Sequence, residues 1–254
     1  MVNLIYDGSF DGLLTAIFEI YEYKFSDAEI VAEQKEFQQN IFERRHTVYT
    51  DSEKAQRVLK KLEAAIGKNG IRQLLMVFLS EKPDRERLIF SAVRQSILYP
   101  KKNILNNLAD PDIISIAKTV KSVGRESHRM TAFVRFEKLQ DESFFAKIEP
   151  DFNVLPLVAN HFKRRYQDQK WMIFDLRRNY GVYWDFSEVH YFMPEEAQLP
   201  AFRNSENLHH DEEKAYQKMW QRYFVKTGIE ARKNMKLHIQ WVPKRYWKYL
   251  TEKA

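Results

Sequence analysis

Trp171-Met172-Ile173-Phe174-Asp175-Leu176, then Gly181-Val182-Tyr183-Trp184-Asp185-Phe186, then Glu188-Val189-His190-Tyr191-Phe192 is the stretch that decides the fold class. Each run is short and rich in aromatic and β-branched residues, the composition of a strand. The gaps between them hold only a few polar residues, and Asn179-Tyr180-Gly181 reads as a tight turn. Strands joined by tight turns pair antiparallel, because a parallel pair needs a long crossover. Just upstream, Met130–Leu139 and Phe144–Glu149 flank the polar Gln140-Asp141-Glu142-Ser143 and read as a β-hairpin. A helix over about Asn153–Gln169 separates the two groups. Antiparallel strands segregated from helices predict an α+β fold rather than a doubly wound sheet.

Working outward to the N-terminus, Val2–Tyr6 reads as a short buried strand and Asp7-Gly8-Ser9 as a turn that starts a helix. That helix, Phe10–Tyr23, sets Leu13, Ile17, Ile20 and Tyr21 on one face. Strands are predicted at Glu29–Glu33 and Ile41–Tyr49, followed by Thr50-Asp51-Ser52-Glu53 as a helix cap. Helices follow at Ser52–Ile66, Gly70–Leu79, Pro83–Tyr99 and Pro111–Val123, with Pro83 and Pro111 at their starts. Towards the C-terminus, Pro194–Asn207 is a connector, and helical segments are predicted at Asp211–Thr227, Ile229–Leu237 and Pro243–Leu250. The expected organisation is a single α+β domain with a helical C-terminal region. Residue 125 is the place where a mainly helical part would give way to a β-rich one.

Composition removes several function classes. The 254 residues are 44% hydrophobic, 30% charged and 14% aromatic, a folded rather than a disordered composition. There is no Cys, which excludes disulfides, thiolate zinc sites, Cys-ligated iron–sulfur clusters and a Cys nucleophile. No apolar run approaches the roughly 20 residues of a membrane span, and Met1–Asp7 lacks a signal-peptide pattern, so a cytoplasmic protein with no membrane partner is expected. No phosphate-binding glycine loop, nucleophile elbow or His-Glu-x-x-His is present. His209-His210-Asp211-Glu212-Glu213 contains ligand-type residues, but neighbours in sequence do not converge on one ion, and neither a metal nor a cofactor is expected.

Charge is the stronger signal. The formal net charge is +6, yet Lys214–Ala254 carries 11 Lys and Arg against Glu230 and Glu252, and the remainder of the chain is slightly acidic. A concentrated positive field attracts polyanions. Lys214, Lys218, Arg222 and Lys226 recur every four residues and form one helical stripe. Tyr216, Trp220, Tyr223 and Phe224 fall roughly opposite and are expected to pack on the core, leaving the stripe outward. Arg232, Lys233, Lys236, Lys244, Arg245 and Lys248 extend the charge beside Trp241, Tyr246 and Trp247. Basic residues interleaved with aromatics suit single-stranded or distorted nucleic acid, where phosphates pair and bases stack. The alternative is a solvated basic face.

Two polar clusters are candidates for chemistry. In Arg125-Glu126-Ser127-His128-Arg129, placed between a helix and a strand, His128 would act as general acid or base, Glu126 would orient it, and Arg125 and Arg129 would hold a phosphate. In Asn160-His161-Phe162-Lys163-Arg164-Arg165, His161 and Arg165 share a helical face. If the clusters meet in space they line one site; the alternative is an ion-paired connection and a solvated helix.

Several spaced motifs carry a resemblance across the whole chain. They are Tyr6-Asp7-Gly8-Ser9-Phe10-Asp11-Gly12, Arg125-Glu126-x-His128-Arg129-Met130, Phe133-x-Arg135-Phe136, Asn160-His161-Phe162-x-x-Arg165, Trp220-x-x-Tyr223-Phe224, Ile229-x-x-Arg232-x-Asn234 and Val242-Pro243-Lys244-Arg245-Tyr246-Trp247. In this order they resemble an uncharacterised bacterial family of probable DNA-metabolism proteins, a domain of unknown function. Members are similar to the front part of longer proteins with a uracil-DNA-glycosylase-like domain, and are encoded near a radical-SAM protein. The resemblance implies DNA, single-stranded or damaged, as a partner, together with those two protein classes, and assigns no catalytic residue. With 254 residues and no Cys, the chemistry is expected to belong to partners. The reading is a DNA-binding accessory protein of a repair or modification system. Its rivals are a nucleobase- or nucleotide-processing enzyme using His128 or His161, and a docking scaffold, which requires Trp241 and Trp247 to be exposed together.

Overall fold

Val2–Tyr6 forms β1, buried at Leu4, Ile5 and Tyr6, and it is the middle strand of a three-stranded sheet, between β2 (Ala28–Ala32) and β3 (Arg44–Thr47). This computed structural model describes residues 1–33, 44–227 and 234–253. Residues 41–43, the start of the strand predicted at Ile41–Tyr49, lie outside the described residues. The chain divides into two units, Met1–Gly124 and Arg125–Ala254. The division falls within a helix, and each unit is described by itself.

In the first unit, Ser9 caps α1 (Phe10–Glu22) by accepting from the Gly12 N–H at 2.9 Å, which answers one of the unpaired donors of the first turn. Asp7 ties the turn together, accepting from Ser9 N at 2.9 Å and from the Thr50 hydroxyl at 2.8 Å. A methyl on Gly12 would lie 2.2 Å from that carboxylate, so this close approach requires glycine. Leu13, Leu14, Ala16 and Ile17 are fully buried on α1. Because α1 carries the chain back across the sheet, β2 joins β1 in parallel, and β3 does likewise on the other edge.

Asp51 caps α2 (Ser52–Leu79), accepting from Glu53 N and Lys54 N. Gly67, at φ 69° and ψ 172°, leaves the helical conformation inside α2, so the two helices predicted at 52–66 and 70–79 are the two sides of one break. The unit continues with α3 (Arg85–Leu98) and α4 (Pro111–Phe133).

The expected end of that last helix at Val123 is corrected. Ile113, Ile116, Thr119, Val123, Glu126 and Met130 are all buried, at spacings of three or four, so the helical period runs on to Phe133. The Met130–Leu139 strand shrinks to β4 (Glu137–Lys138), and the Arg125–Arg129 cluster lies on the helix rather than between a helix and a strand.

The second unit is built on a five-stranded sheet in the order β4-β5-β6-β7-β8, with β5 (Phe144–Ile148), β6 (Trp171–Asp175), β7 (Tyr180–Trp184) and β8 (Val189–Phe192). The hairpins β6–β7 and β7–β8 are antiparallel, as is β4–β5. β5 and β6 pair in parallel, because α5 (Leu155–Arg165) intervenes as a crossover. The fold is thus mixed α/β, consistent with α+β, but its sheets are partly parallel and not purely antiparallel. Val158, Phe162, Phe145, Trp171, Ile173, Phe174 and Val182 form the core around this sheet. The C-terminal part comprises α6 (Leu199–Arg203), α7 (Glu213–Thr227), α8 (Met235–Trp241) and 3-10 turns at Lys244–Tyr249 and Thr251–Lys253. Asn234 caps α8 through Leu237 N; the first residues of the helix predicted at Ile229–Leu237 lie outside the described residues. Among the described residues no helix is long and apolar enough to cross a membrane.

Candidate functional site

Five cationic side chains from separate elements converge on one concave pocket of the second unit, about 570 Å³ in volume. Lys147 comes from β5, Arg203 ends α6, Lys214 opens α7, Lys248 stands on the Lys244–Tyr249 turn, and Arg135 follows α4. One carboxylate, Glu137, shares the wall with them. Glu137 accepts from or pairs with His209 Nε2 at 3.1 Å and stands 4.0 Å from Lys147 Nζ, which also meets Ser205 Oγ at 3.2 Å. Arg203 donates to Asn179 Oδ1 at 3.1 Å, and Lys214 has no ion-pair partner among the described residues. The pocket therefore keeps a positive surplus at its wall, the condition for holding an anion.

The remaining two cations are fixed from behind. Arg135 makes a bidentate pair with Glu252, Nε to Oε2 at 3.1 Å and the terminal nitrogen to Oε1 at 2.6 Å. Burial alone would raise Glu252, but the hydrogen bonds from Arg135 and from Trp220 Nε1 outweigh it and hold the carboxyl below its ordinary range. Lys248 is paired with Glu149, which also accepts from Tyr249 Oη at 2.5 Å, and that pairing raises the Lys248 ammonium. Burial first, then the Glu149 carboxylate, pushes the Tyr249 phenol up to about 12. Lys248 also lines a further pocket with Lys244, Arg245 and Arg177, where the carboxylates Glu149 and Asp151 offset part of the charge.

A third hollow, about 370 Å³, shares Gln217 and Thr251 with the basic pocket but has aromatic walls, Phe136, Phe144, Tyr216 and Trp220. Its presence reflects how α7 is attached. The aromatic face of α7 was expected on the core, and that expectation is corrected: Tyr216, Trp220, Tyr223 and Phe224 are 50%, 40%, 59% and 38% exposed. Glu213 is the buried residue of α7, where it accepts from Lys138 N at 2.8 Å and from Gln217 Nε2 at 2.9 Å. Further along, Trp220 Nε1 donates to Glu252 at 2.9 Å and Gln221 Nε2 to the Thr251 carbonyl at 3.0 Å. Polar bonds at two levels anchor α7, so its rings are free of the core. Lys214, Lys218, Arg222 and Lys226 are exposed along it.

The other predicted residues are placed as follows. Arg232 and Lys233 lie outside the described residues. Lys236 and Lys244 are exposed, with Lys244 over the Trp247 ring. Arg245 is neutralised by Glu126 at 3.0 Å and Asp151 at 2.8 Å. Glu126, buried on α4, accepts from Asp151 N, Phe152 N, the Tyr246 hydroxyl and Arg245. Neither His128 nor His161 is among its partners. His128 and Arg125 are exposed, Arg129 donates to the Gln240 carbonyl at 3.2 Å, His161 is exposed with its ring edge-on to Phe162, and Arg165 donates to Tyr166 Oη at 3.2 Å. Among the described residues no hydrogen bond or ring contact joins the Arg125–Arg129 cluster to Asn160–Arg165. Trp241 is exposed, whereas Trp247 is half-buried, donates to the Val242 carbonyl and lies beneath Lys244 and Lys253, so the paired patch a scaffold requires is not formed.

Sequence reasoning passed over Arg135, Lys147, Arg203 and His209 as pocket residues. Lys147 alone left a readable sign, a cation inside the apolar run Phe144-Phe145-Ala146-Lys147-Ile148.

The profile of a domain of unknown function (DUF4130) matches residues 83–252. No curated protein matches the chain. Among solved structures, one described as a member of the s1p family of ribosomal proteins, a DHH domain, is similar at 12% identity and a TM-score of 0.20, over 71% of this chain and 55% of that one. The chain thus spans little more than half the length of that structure.

Proposed function

The chain belongs to the DUF4130 family, a domain of unknown function, and on that footing we propose that it binds DNA as an accessory protein of a repair or modification system. The observation that carries this reading is the basic pocket, where Lys147, Arg203 and Lys214 face an open hollow beside the exposed Lys218, Arg222 and Lys226 of α7. Cations that are not fully offset by carboxylates neutralise phosphates and release the counterions condensed on the strand, which drives association with nucleic acid of any sequence. The accessory role is favoured over the enzymatic one because Glu126 is occupied by four donors and is not available to orient His128 or His161. In this reading the chain holds the strand, and a partner of the radical-SAM or uracil-DNA-glycosylase-like class acts on the base.

Fluorescence anisotropy with labelled DNA across a salt series tests it. With about four phosphates neutralised, log affinity falls against log salt with a slope of about −3 to −4. Changing Lys214, Lys218, Arg222 and Lys226 together to Glu flattens that slope. A protein that binds no DNA near about 100 mM salt, or whose variant binds with the same slope, overturns the reading.

A further inference from the structure

We propose that the aromatic hollow beside the basic pocket is a receptor for one unpaired base of a DNA strand, so that the protein prefers single-stranded over duplex DNA; this rests on the DNA-binding reading above. Four rings, Phe136, Phe144, Tyr216 and Trp220, surround a hollow of about 370 Å³, within the size range of small-molecule sites. Tyr216 and Trp220 keep 50% and 40% of their surface in water, although aromatic side chains contribute most when covered. Polar groups accompany the rings as a base edge requires. Gln217, whose Nε2 donates to Glu213, lines the hollow with Thr251, Lys138 and Glu213. Gln217 and Thr251 also line the basic pocket, so a base stacked in the hollow has its own phosphate on the side of Arg135, Lys147 and Lys214.

The charge pattern selects a strand as the occupant. A lone apolar side chain from a protein partner would match the rings but not the cations that adjoin them. A free mononucleotide would fill the pocket but leave Lys218, Arg222 and Lys226, exposed along α7, without counterparts. A basic pocket adjoining the hollow and a stripe of cations running on along α7 fit a backbone that enters, presents one base and leaves. Stacked and paired bases of a duplex cannot enter the hollow, which gives the preference for single strands.

The test compares the affinity of the full chain for a short oligodeoxythymidine, an abasic strand of the same length and a duplex. A stacked base contributes about 1–3 kcal/mol, so the abasic strand is expected to bind about 5- to 150-fold more weakly than oligodeoxythymidine. Tyr216→Ala lowers affinity for oligodeoxythymidine by a factor in the same range and abolishes the preference over the abasic strand. Tyr216→Phe keeps the ring and keeps the preference. Tyr49→Ala, an exposed ring of the first unit, leaves affinity unchanged and controls for any exposed ring. Circular dichroism of each variant confirms the fold, and quenching of Trp220 emission by oligodeoxythymidine but not by the abasic strand is a readout independent of affinity. Equal binding of the two strands, or an unaffected Tyr216→Ala protein, overturns the base receptor while leaving phosphate binding intact. Displacement of the strand by thymidine monophosphate at equal concentration overturns the strand as its source. Failure to bind any DNA overturns both readings together.

Discussion

Helices α1 and α7 have similar lengths, 13 and 15 residues, but α1 is the more apolar of the two and they are held differently. On α1, Leu13, Leu14, Ala16 and Ile17 are fully buried, and long-range polar contacts, Thr15 to Asp51 and Glu19 to His46 and Lys54, supplement that apolar face. On α7 the buried residue is an acid, Glu213, and the other anchors are Trp220 to Glu252 and Gln221 to Thr251. An amphipathic pattern therefore does not say which face is inward. Where polar anchors stand in place of a buried apolar face, as on α7, a helix can leave its rings partly exposed beside cations. A helix attached by area resists changes of pH and salt, whereas one attached by charges does not.

The difference can be broken by substitution. Leu13→Ala removes fully buried methyl groups from α1 and is expected to cost about 2–5 kcal/mol of unfolding free energy in urea titrations. Tyr223→Ala, its counterpart on α7, gives up only a stacking contact with Trp220 and costs about 0.5–1.5 kcal/mol. Equal losses at the two positions would mean that α7 is packed like α1.

A smaller effect is expected at Glu126. Glu126→Gln keeps the shape but removes the charge that Asp151 N, Phe152 N, Tyr246 and Arg245 address, at a cost of about 2–3 kcal/mol. Arg245 keeps its pair with Asp151, so affinity for DNA stays level while stability falls. A loss of DNA affinity at full stability would instead return Glu126 to the binding chemistry.

The smallest effect is the pH response of the α7 anchor. Glu252 has a folded-state pKa below that of the unfolded chain, so its contribution is fully present above about pH 4.3 and is lost as pH falls through the lower folded value. Trp220 fluorescence is expected to report that acid loosening before the signal of global unfolding, and Glu252→Gln is expected to remove the early phase. A single transition unchanged by the substitution would show that α7 does not depend on this carboxylate.

Local chemistry was legible in the sequence; convergence was not. The helix starts at Asp7–Ser9 and Thr50–Glu53, the turn at Asn179 and the strands at 171–192 are set by neighbours in sequence, and each stands where the residues predicted. Parallel pairing of β5 with β6 depends on the crossover through α5, which no local pattern records. The extension of α4 was hidden because Met130-Thr131-Ala132-Phe133-Val134 mixes strand and helix formers, while its helical period shows only once Glu126 is counted as a buried position. Arg135, Lys147 and Arg203 are unremarkable alone and become a pocket only through tertiary structure. The outward turn of Tyr216 and Trp220 was missed because their anchors, Glu252 and Thr251, lie some thirty residues away in sequence.

The central position of β1 has a kinetic consequence. Its partners on both sides arrive later in the chain, Ala28 opposite Val2 on one edge and Arg44 opposite Val2 on the other, and neither is supplied by a hairpin. Each pairing closes a long loop, whose entropy must be paid before the strand gains its hydrogen bonds. Between the two closures β1 has one finished edge and one bare row of N–H and C=O groups, with Leu4 and Ile5 not yet covered. A bare edge of that kind accepts a strand from any neighbouring molecule. Docking of β3 is thus the step at which correct folding of the first unit competes with intermolecular association.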